Sequence, residues 1–226
     1  MSTPAFRATD LRLELRDPGE FALVRLYKDA RSGGPGGEWA PPPEAFRNLR
    51  VDPPAGHKGK FSVLYTSDTL ACVAEECHVL QYNAADDAFQ VDRALLAQYR
   101  VARYAYAAPA LFVSIDPIDV GALGLQPRQY GPGMKLDTVT IYDRYQAASL
   151  ALFERVGELA HGLSWQSMHR GQLGRVYAVW HHRKPHLQLS NDAARSGAWL
   201  ADDGDWKTFE AENPGFQDVP APGTGT

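Results

Sequence analysis

The chain has 226 residues, of which 44% are hydrophobic and 22% are charged, and its formal net charge is −4. It is long enough to bury a substantial core, and its composition is that of a globular protein. The weak negative charge argues against a dedicated nucleic-acid-binding protein, because no surplus of cations is available for phosphates.

No segment approaches the roughly 18 uncharged apolar residues that a membrane helix needs, and the N-terminus lacks the apolar segment of a signal peptide. The two cysteines, Cys72 and Cys77, fall on one predicted helix, where a disulfide would be geometrically awkward. We therefore expect a cytoplasmic protein that makes no membrane contact.

The first part of the chain alternates predicted strands with loops. Residues 1–20 are predicted to form a polar N-terminal lead-in, and FALVRLYK (21–28) a strand that carries Arg25 inside an apolar run. Residues 31–43 are too rich in Gly and Pro for regular structure. The β-branched and aromatic segment 60–67 predicts a second strand.

A helix is predicted next, over residues 67–82, with Ser67 or Asp68 as its N-cap. Its apolar side chains recur at helical spacing on one face, namely Leu70, Val73, Ala74 and Cys77. This face is expected to pack on the sheet.

The same helix carries two adjacent carboxylates, Glu75 and Glu76. They point about 100° apart, so only one of them can face a pocket. Glu76 lies on the apolar side of the helix, whereas Glu75 lies on the side of Asp68 and Cys72. The pattern therefore predicts that Glu76 points inward.

The second half of the chain predicts strands on both sides of one long helix. Residues 102–116 predict one or two strands and residues 124–137 a loop. Residues 145–161 give the clearest helical pattern of the sequence, with Gly162 at the C-terminal cap position.

The last elements are a turn region over 162–171 and a strand over 174–182, which would place His181 and His182 on opposite faces. The tail, 212–226, is expected to be loose. Together the elements indicate the α+β class, in a single domain that spans residues 21–211.

Three side chains in the first half suit a site for a charged small molecule. Arg50 precedes a Pro-containing turn, and its planar guanidinium suits a phosphate or a carboxylate. Tyr65 ends a predicted strand eleven residues before Glu76, so a strand-to-helix step can bring the hydroxyl near the carboxylate. A solvated loop arginine and a pair of surface glutamates are the alternatives.

The segment GLSWQSMHRG (162–171) places small hydroxyls beside an aromatic side chain, including Trp165 and Ser167. Such a set can line a nucleotide pocket, although a simple capping turn fits the same residues. No Cys/His spacing matches a zinc site, GGPGGEW lacks the Lys-Ser/Thr of a phosphate-binding loop, and G-x-S-x-G is absent from the sequence. We expect no metal.

Three ordered segments of the chain resemble the RES domain family, which is named for an arginine, a glutamate and a serine. RVDPPAG is similar to the family's R-F/W-D/N-P-P-x-G turn, and VLYTSDTLACVAEE to its L-Y-x-A/S strand with the following A-x-x-E helix. YQAASLALFERVGELAHGLSWQS is similar to its late helix and G-l-x-Y-x-S segment. The resemblance covers roughly residues 21–183.

The resemblance implies a role for four residues: Arg50 as the family arginine, Tyr65 as the pocket tyrosine, Glu76 as the glutamate and Ser167 as the serine. Arg25, Ser67 and Trp165 are further candidates for substrate contact. Three positions depart from the family pattern, with Val51 in place of an aromatic residue, Trp165 in place of tyrosine and Met168 in place of arginine. GGEWAPPP is a rival match to the turn, but it carries Glu38 where arginine is required.

The resemblance also implies a fold similar to ADP-ribosyltransferases, with a central split β-sheet and flanking helices, and NAD as the substrate. It implies a toxin-like enzyme that cleaves the nicotinamide–ribose bond by phosphorolysis or hydrolysis, with inorganic phosphate as a possible co-substrate. A cognate helix-turn-helix antitoxin of the Xre type would hold it inactive in an oligomeric complex. Transfer of ADP-ribose to a protein, or NAD binding without chemistry, are the alternative functions.

Overall fold

A computed structural model describes residues 11–28, 40–116, 138–167, 169 and 171–219 of the chain. The strands are β1 (Arg12–Arg16), β2 (Leu23–Tyr27), β3 (Val63–Ser67), β4 (Leu80–Asn83), β5 (Ala88–Val91), β6 (Arg100–Ala105), β7 (Ala110–Ser114), β8 (Gly162–Gln166), β9 (Arg175–Trp180), β10 (Ser190–Asn191) and β11 (Gln217–Asp218). The helices are α1 (Leu70–Glu76), α2 (Arg93–Leu96), α3 (Thr138–Val156) and α4 (Gly204–Glu212), and short 3-10 turns span Glu44–Phe46, His181–Arg183 and Leu200–Asp202.

Most strands join one mixed eight-stranded sheet in the order β1-β7-β8-β9-β3-β2-β6-β10. Its neighbouring strands are antiparallel except β7 and β8, which run parallel. Parallel neighbours need a long crossover, and α3 lies in the segment that connects these two strands. A small second sheet has the order β11-β5-β4. The α+β class is confirmed.

The main sheet separates between its strands β2 and β3. These strands pair in register only at Val24 and Ser67, whereas β2 with β6 and β3 with β9 each pair over five residues. This pair lies near the start of β2 and at the end of β3. Because the two strands are antiparallel, the unpaired parts that diverge are the end of β2, at Tyr27, and the start of β3, at Val63.

Two clusters of apolar side chains cover one face of this sheet and a third covers the other. Helix α3 packs Ala148 and Leu152 against Leu163 and Trp165. Helix α1 packs beside it, and Val73 of this helix belongs to the second cluster. The opposite face holds the third cluster, with Leu64, Tyr104, Tyr177, Leu187 and Leu189. Within the ranges above, no helix is long and apolar enough to cross a membrane.

Several local predictions are wrong in their boundaries. Residues 12–16, expected within the polar lead-in, form the edge strand β1, and residues 217–218 of the expected loose tail pair with β5. The predicted turn region begins with strand β8, so Gly162 opens a strand instead of capping a helix. A Cβ at Gly162 would lie 2.1 Å from the carbonyl oxygen of Ala178, which explains the glycine.

The helix predicted over residues 67–82 is also shorter than expected. Ser67 still belongs to β3, and the N-cap is Thr69, whose Oγ1 accepts a 3.1 Å hydrogen bond from the backbone of Cys72. Helix α1 ends at Glu76, and His78 takes a positive φ of 60° before β4 begins. His181 and His182 lie in a 3-10 turn and not in the preceding strand.

Candidate functional site

The turn that carries Arg50 is fixed from two sides. Ser149 of α3 donates a 2.7 Å hydrogen bond to the Val51 carbonyl, and the Val51 amide donates to the Tyr65 hydroxyl at 3.1 Å. Arg50 is buried, and its guanidinium carbon lies 5.7 Å from the ring centroid of Tyr145. Val51, which follows the arginine, is a core residue and only 1% exposed.

Tyr65 is half-buried and stands between this turn and the core. Its ring meets Trp165 edge-on, with 6.5 Å between centroids. Trp165 itself is only 2% exposed and packs in the core cluster under α3. Trp165 therefore packs against Tyr65 from within the core. Because its indole is buried, it could contact a ligand only after moving.

The predicted glutamate and serine meet directly. Ser167 donates a 2.9 Å hydrogen bond from Oγ to Oε1 of Glu76, although the two residues are 91 positions apart. The His169 amide donates to the same Oγ at 3.3 Å, and its ring Nε2 lies 3.8 Å from Oε2 of Glu76. The ring of His78 is 5.5 Å from that of His169. Glu76 remains partly exposed, with 22% of its side chain accessible.

Glu75 is the more buried carboxylate, which corrects the prediction that Glu76 points inward. Only 1% of Glu75 is exposed, and its Oε1 accepts a 2.9 Å hydrogen bond from the Gly171 amide. The prediction was wrong because it took the side of the helix that carries Asp68 and Cys72 to face outward, whereas the Cys72 thiol is fully buried. Glu75 thus anchors the segment after Ser167, and Glu76 borders the site.

Burial raises the pKa of Glu75 to about 7, and the neighbouring charge of Glu76 adds to the rise. A folded-state pKa above the ordinary 4.5 means that the native protein loses stability as pH rises from about 4.5 through 7. We expect Glu75→Gln to gain about 1–3 kcal/mol of unfolding free energy relative to wild type at pH 8, and little at pH 5. Urea denaturation at both pH values measures this difference.

The exposed Glu212 offers a matched control, since Glu212→Gln should change stability equally little at pH 5 and pH 8. If Glu75→Gln changed the free energy of unfolding equally at both pH values, the carboxyl of Glu75 would not have the raised pKa assigned to it.

Arg25 projects from β2 and contacts strand β3. Its guanidinium donates a 3.2 Å hydrogen bond to the carbonyl of Tyr65. It also acts on groups to either side. Burial raises the pKa of Asp52 to about 6 and that of Cys77 to about 11, and the charge of Arg25 opposes both shifts.

The Ser67 hydroxyl is buried and hydrogen-bonded within the protein, so it is not exposed to a ligand. Ser67 is 1% exposed, and its hydroxyl donates a 2.9 Å hydrogen bond to the carbonyl of Arg175. Asp68 accepts a 2.8 Å bond from the amide of the same residue. These contacts join β3 to β9 just before helix α1, so Ser67 positions the helix that carries Glu76.

Sequence reasoning missed two residues of this region. His169 approaches Glu76 only because of how the chain folds after β8, and no sequence pattern indicates this contact. Lys184 carries no motif, yet it is 7% exposed on the turn that follows β9. Met168, Arg170 and most of the loops 31–43 and 124–137 lie outside the described residues.

The predicted residues fall into two groups of contacts. Glu76 is a partly exposed carboxylate held by Ser167, whereas Tyr65 binds the Val51 amide of the Arg50 turn and accepts from Arg25 through its carbonyl. A carboxylate can stabilise a developing positive charge, and arginines can bind phosphate groups. No group of three or more potential metal ligands occurs in the ranges that the structure describes. Comparison of the chain with family models, with curated proteins and with solved structures finds no match.

Proposed function

We propose that the protein is a toxin-like enzyme that cleaves the nicotinamide–ribose bond of NAD. The observation that carries the proposal is the 2.9 Å hydrogen bond between Ser167 and Glu76, because the sequence resemblance assigns both residues to one site and they are in contact although they lie 91 positions apart. The opening between β2 and β3 supports a split sheet of the ADP-ribosyltransferase type. Arg25 and Tyr65 lie at this opening.

The proposed mechanism needs charge stabilisation more than a strong nucleophile. Nicotinamide leaves from a ribose centre that develops positive, oxocarbenium-like charge, and Glu76 stabilises this charge. Ser167 holds one carboxylate oxygen through its hydrogen bond and so orients the other toward the ribose. Arg50 and Arg25 bind phosphate groups, and Tyr65 contacts the nicotinamide or the ribose.

The same first step serves three acceptors. Inorganic phosphate gives ADP-ribose-1″-phosphate, water gives ADP-ribose, and a protein side chain gives an ADP-ribosylated protein. A chain that binds NAD without releasing nicotinamide would be a binding module.

Incubation of the purified protein with NAD, with and without inorganic phosphate, tests the proposal by mass spectrometry of the products. We expect nicotinamide to be released in both cases and ADP-ribose-1″-phosphate to form only with phosphate. Intact NAD under both conditions, from protein freed of any bound inhibitor, would refute an NAD-cleaving enzyme.

An active NAD-consuming enzyme in the cytoplasm requires an inhibitor, and we propose a helix-turn-helix antitoxin encoded beside it. Co-expression with the neighbouring open reading frame should restore growth of cells that the enzyme alone arrests. Growth arrest that no neighbouring gene relieves would count against a toxin–antitoxin pair, while leaving the NAD chemistry in place.

A further inference from the structure

The two oxygens of the Glu76 carboxylate have different neighbours. Oε1 accepts the 2.9 Å hydrogen bond from Ser167, whereas Oε2 lies 3.8 Å from Nε2 of His169. That separation is too long for a hydrogen bond between the two atoms, but two hydrogen bonds of about 2.8 Å can meet at a single oxygen placed beside both. The carboxylate and the imidazole thus frame a position for one small hydroxyl group.

This position is open to solvent. The side chains of His169 and Glu76 are 21% and 22% exposed, so water reaches both of them. A proton that the imidazole takes up can therefore pass on to bulk water.

The backbone around His169 is held by hydrogen bonds that do not involve its ring. The His169 amide donates to Oγ of Ser167 at 3.3 Å, and the His169 carbonyl accepts a 3.2 Å bond from the Gln172 amide. The Gly171 amide donates to Glu75 at 2.9 Å. A substitution of the His169 side chain leaves these contacts available, so it tests the ring separately from the fold of the segment.

Three titratable side chains surround the imidazole among the described residues. Glu76 lies 3.8 Å from Nε2, the ring centroid of His78 lies 5.5 Å from that of His169, and Glu75 binds the amide two residues further along the chain. A neutral imidazole has one nitrogen that accepts a proton, and histidine titrates in the physiological range of pH. His169 can therefore act as a base on a hydroxyl group that Glu76 holds.

We propose that His169 is the general base that removes a proton from water when water is the acceptor for ADP-ribose. This role rests on the proposed function, because it concerns the acceptor step of NAD cleavage. The bond between C1″ of the ribose and the nicotinamide nitrogen breaks, and its electron pair leaves with neutral nicotinamide. A bond forms between C1″ and the water oxygen, and one proton of this water moves to the accepting nitrogen of His169 and then to solvent.

Inorganic phosphate does not need this base, because near neutral pH it already carries ionised oxygens that can attack C1″ directly. A base beside the carboxylate therefore assists water and not phosphate. Its removal should shift the products from ADP-ribose toward ADP-ribose-1″-phosphate.

Incubation of the full chain with NAD at a fixed phosphate concentration, with quantification of both products by mass spectrometry, tests the proposal. A general base contributes about 10²-fold or more to the step that it assists, so we expect His169→Gln to lower the ratio of ADP-ribose to ADP-ribose-1″-phosphate by at least about tenfold. In phosphate-free buffer the hydrolysis rate should fall by about 10²-fold. Phosphorolysis should stay within a few fold of the wild type.

The pH dependence distinguishes a base from a residue that only supports the structure. Hydrolysis by the wild type should fall as the pH is lowered from about 8 to about 5.5, because a protonated imidazole accepts no further proton. The slow hydrolysis by His169→Gln should lack this fall.

His78→Asn is the matched control. His78 is exposed and has a positive φ of 60°, which asparagine also adopts readily. The substitution removes the neighbouring imidazole and leaves His169 beside Glu76, so the product ratio and the pH dependence should stay those of the wild type. Melting temperatures verify that both variants are folded.

The possible results separate the base from the enzyme. NAD cleavage with an unchanged product ratio in His169→Gln would overturn the base and leave the enzyme standing. Equal losses of hydrolysis and phosphorolysis would assign His169 to the support of Glu76 and overturn its role toward water, as would ADP-ribose that appears only on a protein. A wild type that releases no nicotinamide would refute the proposed enzyme and the base with it.

Discussion

Glu76→Gln is expected to lower the rate of nicotinamide release from NAD by about 10³-fold, which is the upper range for removal of one electrostatic contact to a developing charge. Glutamine keeps the shape of the side chain, and its amide oxygen can still accept the hydrogen bond from Ser167. The change therefore removes the negative charge and little else. Single-turnover measurement of nicotinamide release gives the chemical rate separately from substrate binding.

Glu75→Gln is the matched control, because it makes the same change one residue earlier on the same helix. Glu75 is buried against the Gly171 amide and does not border the site, so its variant should retain activity within a few fold. NAD affinity should be little changed in Glu76→Gln if the charge acts mainly in the transition state. Full activity of Glu76→Gln, or an equal loss in both variants, would remove Glu76 from its proposed role.

The sequence patterns predict the elements that have strong local signals. They fail for elements that form only through pairing with a distant part of the chain. β2, β3 and β9 were predicted because alternating or continuous apolar residues are typical of strands that pack in a core. β1 was missed because RLELR is charged and exposed on an edge, and it forms only by pairing with β7. The boundary between α1 and β4 depends on the positive φ of His78, which no apolar periodicity indicates.

The candidate site shows the same division between local and long-range information. Arg50 and Glu76 could be selected from short motifs, because each motif lies within one turn or one helix. The choice of the inward carboxylate could not, since it depended on whether Cys72 faced the core. The hydrogen bond between Ser167 and Glu76 joins residues that are 91 positions apart along the chain, and only the fold places them in contact.

The largest effect on stability is expected at Arg103, far from the candidate site. This arginine is 3% exposed on β6 and donates two 2.8 Å hydrogen bonds to the carboxylate of Asp203, with a further 2.7 Å bond to Asp205. Burial acts to raise the pKa of Asp203, but the bonds from Arg103 hold it below its ordinary value. The pair joins the start of α4 to the main sheet.

We expect Arg103→Met to lower the free energy of unfolding by about 3–5 kcal/mol, because it leaves the buried Asp203 carboxylate without its counter-charge. Arg195→Met is the control. That arginine lies 3.8 Å from the same Asp205 but is largely exposed, so its removal should change stability by no more than about 0.5 kcal/mol. Denaturant titration of both variants provides the comparison.

A second substitution identifies the physical cause of the loss. Asp203→Asn keeps an oxygen that can cap α4 and removes the charge, so it should restore part of the stability when added to Arg103→Met. Such recovery would show that the stranded carboxylate, and not lost packing of the guanidinium, accounts for most of the effect. A double variant as unstable as Arg103→Met alone would assign the loss to packing. An Arg103→Met variant no weaker than Arg195→Met would show that the buried ion pair contributes little to holding α4 on the sheet.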